Sequence, residues 1–132
     1  MPREHVAIVD TRTASALIRG TKRIETRFYR QRRAPFGRIA GGDNVHFKIS
    51  GVCIIGTARV TNVREFTDLS PAAMDRLQTR YRRTVLAPGR YWKARRNSRY
   101  GVLIWLEPLH EPAGEVVVPR QYGGGWVVLR DK

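Results

Sequence analysis

Two stretches of this 132-residue chain concentrate residue types that can do chemistry. The first is Gly20-Thr21-Lys22-Arg23-Ile24-Glu25-Thr26-Arg27, in which one carboxylate stands among cations. A glutamate so surrounded stays ionised and salt-bridged, with Arg27 or a more distant arginine as its partner. Such a group reads in two ways. It is a structural ion pair, or Lys22, Glu25 and Arg27 line a pocket in which the carboxylate accepts from amino groups of a base while the cations hold phosphate or a carbonyl oxygen. The second stretch, residues 76 to 99, carries nine Arg or Lys (76, 80, 82, 83, 90, 93, 95, 96 and 99) and no acid, interleaved with Tyr81, Tyr91 and Trp92. Phosphate-neutralising cations beside flat aromatic faces are what an unpaired nucleic-acid strand needs, because charge supplies affinity and stacking adds about 1–3 kcal/mol per base. The plainer alternative is an exposed basic helix and loop whose aromatic rings turn into the core.

Other chemistries lack their residues. His5, His46 and His110 are far apart and show no paired His or Cys spacing, so no metal site is expected. Gly123-Gly124-Gly125 leads into the β-like Trp126-Val127-Val128-Leu129, which makes it a turn and not a phosphate cradle at a helix N-terminus. No P-loop, nucleophile elbow or dinucleotide fingerprint is present. Cys53 lies in the apolar run Val52-Cys53-Ile54-Ile55 with nothing nearby to lower its pKa, and reads as part of a buried strand. Nothing calls for a cofactor.

Composition fits a nucleic-acid partner. Lys and Arg number 25 against 11 acids, a formal net charge of +14. Arg far outnumbers Lys, and its planar fork grips phosphate at two points and stacks on base faces. A solvated basic surface is the alternative. Apolar residues make up 42% and are spread along the sequence, enough for the core of a single domain over residues 1–132, with its packed part about 5–129. One cysteine excludes an internal disulfide. No stretch has the apolar length of a signal peptide or a membrane span, so a cytoplasmic, membrane-free protein is expected, and a small basic domain of this kind is expected to be a monomer.

The elements that must position these residues are mainly strands. His5-Val6-Ala7-Ile8-Val9 reads as a strand, ending at a cap, Asp10-Thr11. Ala14, Leu17 and Ile18 recur at helical spacing up to Gly20, a helix stop. Residues 23 to 29 alternate as a strand with two unlike faces, Glu25 and Arg27 on one and Ile24 and Phe28 on the other. A basic loop over 30 to 38 leads to strands at 45–49, 52–55 and 57–63, the first two separated by Ser50-Gly51. Ser70-Pro71 opens a second helix carrying Met74, Leu77, Tyr81 and Val85, ended by Pro88-Gly89. Further strands are expected at Tyr100–Leu106, Val116–Val118 and Trp126–Leu129. Many short strands in a small chain favour a barrel, closed or nearly so.

These residues resemble the ASCH family, relatives of the PUA, EVE and YTH domains in the PUA-like superfamily. The resemblance rests on Leu17-Ile18-Arg19-Gly20-Thr21-Lys22-Arg23-Ile24-Glu25-Thr26-Arg27, on Gly42-Asp43-Asn44-Val45-His46-Phe47, on Ser50-Gly51 followed by Gly56-Thr57-Ala58, and on Tyr91-Trp92 and Arg99 to Leu106. It implies an α+β, mainly β, PUA-like small barrel with flanking helices and a cleft where the first helix meets the strand of Glu25. It also implies RNA or single-stranded nucleic acid as the partner, with a single or modified base held in the cleft. The contacts expected on this basis are Lys22, Arg23, Glu25, Arg27, Tyr29, Ser50, Tyr91, Trp92, Lys93, Arg95, Arg96 and Arg99, with Trp92 and Tyr29 as walls of an aromatic cage. Two branches of the family imply enzymes instead: an amidohydrolase of acetylated cytidine, whose lysine Lys22 matches while Glu25 stands at its threonine position, and a single-strand ribonuclease. For these, Lys22, Glu25 and Tyr91 are the catalytic candidates, with Lys93 a further one for the ribonuclease.

Overall fold

The computed structural model describes residues 2–51, 54–112, 114–118 and 125–130; Cys53 and most of the triglycine lie outside them. The order of elements is β1 (Glu4–Val9), α1 (Thr11–Ile18), β2 (Ile24–Tyr29), β3 (Asn44–Ile49), β4 (Ile54–Phe66), α2 (Pro71–Val85), α3 (Gly89–Ala94), β5 (Tyr100–Leu106) and β6 (Trp126–Arg130). The strands form one sheet in the order β2-β5-β4-β3-β1-β6, with β1 and β3 parallel and the other neighbours antiparallel.

The α+β, mainly β reading holds, and of the barrel expected as closed or nearly so, full closure is not found. No ladder joins the two edges, β2 and β6, among the described residues. The sheet instead bends at β4, a 13-residue strand whose first half pairs with β3 and whose second half pairs with β5, with a register shift between Val60 and Asn62. A bulge of this kind increases local twist and bends the strand that carries it. The strands expected separately at 52–55 and 57–63 are thus parts of one long strand from Ile54 onward, and Val116–Val118 forms no strand, with Val117 exposed.

Alternation along β5 divides the interior in two. Val102, Ile104 and Leu106 point into a core with Ala7, Val45, Phe47, Ala58 and Trp126, while Leu103 points to the opposite face, where Ile24 and Phe28 of β2 pack against Met74, Leu77, Tyr81 and Val85 of α2 and Trp92 of α3. The α2 face is the one its sequence spacing predicts. Ser70 caps it by accepting from the Ala73 N–H at 3.1 Å, with Pro71 at the first turn. It ends earlier than Pro88-Gly89, at Leu86, which adopts left-handed backbone (φ 55°). Gly89 then begins α3, a six-residue helix that burial of Trp92 anchors and that is too short for sequence periodicity to reveal.

β1 and β6 are fixed to each other by buried polar groups. The Trp126 indole N–H donates to His5 Nδ1 at 3.1 Å, so the imidazole proton sits on Nε2 and is donated to Asp43 Oδ2 at 2.9 Å. His5 is fully buried, and burial pushes its pKa below the ordinary value of about 6.5, against the pull of the Asp43 carboxylate. The neutral ring is therefore the folded form, while the unfolded chain takes up a proton near pH 6.5. This contribution to stability is complete above that pH and is lost as pH falls from there toward the lower, folded value. Urea unfolding of the wild type should show stability declining from about pH 6.5 to 5, and His5→Gln, less stable at pH 7.5, should show a flatter profile across the same window.

Candidate functional site

α1 closes on a turn that aims the next strand. The N–H of Gly20, which takes the left-handed conformation (φ 75°), reaches the Leu17 carbonyl, and the N–H groups of Thr21 and Lys22 both reach that of Ala16 at 3.0 and 3.2 Å. Lys22 thus leaves the turn pointing inward and Glu25 follows on β2. Lys22 Nζ donates to the carbonyl of Val85, in the last turn of α2, and stands 3.6 Å from Glu25 Oε1. The other carboxylate oxygen, Oε2, accepts from Arg27 Nη2 at 3.3 Å, and the N–H of Thr26 donates to Oε1 at 2.9 Å. All three charged side chains are at most 15% exposed.

Burial alone would raise the pKa of Glu25, but Lys22, Arg27 and the Thr26 N–H outweigh it and hold the carboxyl below the ordinary range. Burial pushes Lys22 down, with Glu25 pulling the other way. Arg27 reaches further, donating to the Ile8 carbonyl at 3.0 Å and the Gly125 carbonyl at 3.5 Å, while its guanidinium lies 5.1 Å from the centre of the Trp126 ring. Tyr91 comes from α3. Its hydroxyl and that of Thr26 are 2.6 Å apart, and it also donates toward the Thr26 carbonyl at 3.2 Å. Burial first, then the Glu25 charge, push the Tyr91 phenol up to about 12. At neutral pH it is a hydrogen-bond donor and not a base.

These groups form the floor of a cleft between α1, β2 and the segment joining α2 to α3. Its larger cavity, 630 Å³, takes in Lys22, Glu25, Thr26 and Tyr91 together with Asp10, Thr13, Arg12, Arg19, Leu86, Arg90 and Arg95. A smaller one of 260 Å³ adjoins it, shares Asp10, Thr13, Glu25, Thr26, Tyr91 and Arg95, and continues along β2 to Arg27 and Tyr29. The pair is within the size range of small-ligand sites. Asp10 is already used, accepting the Thr13 N–H at 2.7 Å as the cap of α1, which holds its carboxyl below the usual range. The carboxylates of the cleft are thus both engaged, while Arg12, Arg19 and Arg90 are exposed around its mouth.

Of the expected contacts, Lys22, Glu25, Arg27, Tyr29, Tyr91 and Arg95 come together here. Trp92 does not. It is 3% exposed, packs 5.7 Å from Phe28 and belongs to the core, because a six-residue helix beside β2 needs one large apolar anchor; it cannot wall a cage with Tyr29. Arg23 is exposed and lines neither cavity, and Ser50 lies in the turn after β3. Arg96 and Arg99 are exposed and paired with Asp75 and Asp68, and Lys93 is exposed without lining the cleft. Sequence reasoning missed Asp10, Arg12, Thr13, Arg19 and Thr26, and it had Arg90 only as one cation of the basic 76 to 99 segment. The signal for the first three was present, since a capping Asp fixes where the first turn of α1 begins; Arg90 could be placed only once α3 was known.

A sequence model of the ASCH domain matches residues 8–110. The chain belongs to the ASCH domain family. ASCH domains are part of the PUA-like superfamily and are generally thought to bind RNA. Among solved structures, ASCH from Zymomonas mobilis is similar with a TM-score of 0.66 at 18% identity, over 96% of this chain and 87% of that one. A protein from Enterococcus faecalis is similar with a TM-score of 0.56 at 13% identity, over 88% and 86%. At these identities the likeness is one of fold. No curated protein matches the sequence. Among the described residues of this ASCH domain, no three metal-ligating side chains cluster and no helix is long and apolar enough to cross a membrane.

Two measurements separate the roles of these residues. Glu25→Gln leaves two buried cations without their anion and should lower stability by about 3–5 kcal/mol. It should also remove the part of the acid-side stability loss that sets in below the ordinary carboxylate value of about 4.3, since a depressed carboxylate stabilises above that pH and ceases to as pH falls through its folded value. Trp92→Phe keeps an aromatic anchor and removes an indole N–H that has no partner in the core. By urea unfolding it should cost about 1–3 kcal/mol, the relief of the unpartnered N–H offsetting part of the cavity left behind.

Proposed function

We propose that this ASCH domain binds single-stranded RNA, seating one base in the cleft between α1, β2 and α3 while the arginines around its mouth hold the neighbouring phosphates. The observation that carries this reading is the pairing of charges. Inside the cleft, the Glu25 carboxylate is covered by Lys22 and Arg27, so the floor presents no uncompensated anion, and the Tyr91 and Thr26 hydroxyls, bonded to each other, keep acceptor capacity for the amino edge of a base. At the mouth, Arg12, Arg19 and Arg90 are exposed cations. A phosphate outside and a base inside match that division.

The exposed arginines of α2 extend the same logic. Arg76, Arg80 and Arg83 are spaced to share one face of the helix and span about 10 Å along it. Its C-terminal end enters the cleft wall at Leu86. That is room for two or so phosphates of a strand leaving the cleft. The binding reading is favoured over the enzymatic one because Lys22 is occupied by the Val85 carbonyl and Glu25, and Tyr91 keeps its proton.

The test is a binding titration of labelled single-stranded RNA at several salt concentrations, with the strands inspected afterwards for cleavage. Wild-type protein should retain intact RNA with affinity that falls linearly on a log–log salt plot, and Arg12→Gln or Arg90→Gln, both at exposed positions, should each reduce the slope by about one phosphate equivalent. Salt-independent or absent binding would overturn the proposal. Shortened strands, or converted acetylated cytidine in a parallel incubation, would make the domain an enzyme.

A further inference from the structure

Arg95 differs from the other charged groups of the cleft in what holds it. Its guanidinium carbon lies 3.8 Å from the centre of the Tyr91 ring, and its Nη1 donates to the Tyr91 carbonyl at 3.2 Å. The hydrogen bond goes to a backbone carbonyl and not to a carboxylate, so the ring beneath it and the carbonyl beside it hold the guanidinium in place without neutralising its charge. That ring is itself fixed, since the Tyr91 hydroxyl is tied to both Oγ1 and the carbonyl of Thr26. The side chain is half-buried and lines both cavities where they meet.

A guanidinium is flat on both sides and weakly hydrated on its faces, so it stacks on aromatic rings where an ammonium cannot. One face of Arg95 is taken by Tyr91. We infer that the other is a stacking plate for an unpaired nucleobase, completing a Tyr91–Arg95–base sandwich at the junction of the two cavities. This rests on the RNA-binding reading above and narrows it, because the occupant must be a planar ring with an exposed face. A base inside a duplex has no such face, and an isolated phosphate has no ring. Fixing the plate before the ligand arrives avoids the ordering cost that a free arginine side chain brings to binding.

The experiment compares wild type with Arg95→Lys, which keeps the charge and loses the plane, on single-stranded RNA hexamers in which an abasic residue is walked through each position. On the intact hexamer Arg95→Lys should bind about tenfold more weakly with an unchanged salt slope. With the abasic residue at the seated position, the two proteins should bind alike. If Arg95→Lys matches the wild type on the intact strand, or its deficit persists at every abasic position, the plate is overturned while RNA binding stands. If the wild type binds none of the strands, both readings fall. Equal unfolding midpoints for the two proteins should accompany the expected result, because Arg95 is not a core residue.

Discussion

The guanidinium of Arg27 holds a positive charge almost out of water, and four parts of the chain are arranged to receive it. Glu25, its neighbour on the same face of β2, supplies the anion. The carbonyls of Ile8 and Gly125 supply two acceptors from β1 and from the turn before β6, and the Trp126 ring lies beside it. Leaving such a charge unpaired costs several kcal/mol, so these segments cannot drift apart cheaply. Among the described residues no ladder joins the edges of the sheet, and Arg27 reaches from β2 to β1 and to the turn before β6. The site then inherits its geometry from the clamp. Glu25 is held by Arg27, Lys22 by Glu25 and by the last turn of α2, and the cleft opens above them. Even Gly125 is bound into this arrangement, since a Cβ there would sit 3.3 Å from Arg27 Nη1 on a backbone with φ of 72°.

What the sequence made legible was mostly what is local. Pro at the first position and apolar residues at 74, 77, 81 and 85 define α2 and its buried face. Alternation around Glu25 correctly separates the charged face of β2 from the face that packs on α2. Signals failed where long-range packing decided. A strand that serves two partners in turn reads as two strands, because the Gly56-Thr57 region breaks its apolar pattern while its backbone continues unbroken from Ile54. The run of three valines at 116 to 118 has high β-propensity yet joins no strand ladder among the described residues. Trp92, flanked by cations, reads as an exposed stacking residue, and only its packing against Phe28 reveals it as an anchor. For the site, the charged trio and Tyr91 were visible as residue types. That Asp10 and Arg12 at the start of α1 would line one cleft with Arg90 of α3 and with Arg95 just after it depends, beyond the stop at Gly20 that the sequence does mark, on a helix of six residues that has no periodic signature.

A net charge of +14 on so small a chain is managed largely by stacking. Arg32 lies over Phe36, Arg33 over Tyr29, Arg64 over Phe66 and Arg80 over Tyr81, with centroid distances between 4.9 and 5.4 Å. Other exposed arginines are matched with acids, as Arg96 is with Asp75 and Arg99 with Asp68. Aromatic support holds an arginine in place without cancelling its charge, so the surface stays electropositive while its side chains are partly ordered. A salt bridge at the same position would order the side chain and remove the field.

The pairing of β1 with both β3 and β6 has a consequence for how the molecule is made. β1 is the first strand to be synthesised, yet its hydrogen-bonding partners begin at residue 44 on one side and at residue 126 on the other, and the Trp126–His5 bond spans 121 positions. Nearly the whole domain must leave the ribosome before the first strand is flanked on both sides. Until then Ile8 has one open edge, Arg27 lacks the Gly125 carbonyl, and the cleft floor is without part of its support. Closing such distant contacts is slow because loop entropy must be overcome before they form. The floor of the cleft therefore depends on contacts that become available only once residues 125 and 126 have been made, after the basic residues of α1 and α2.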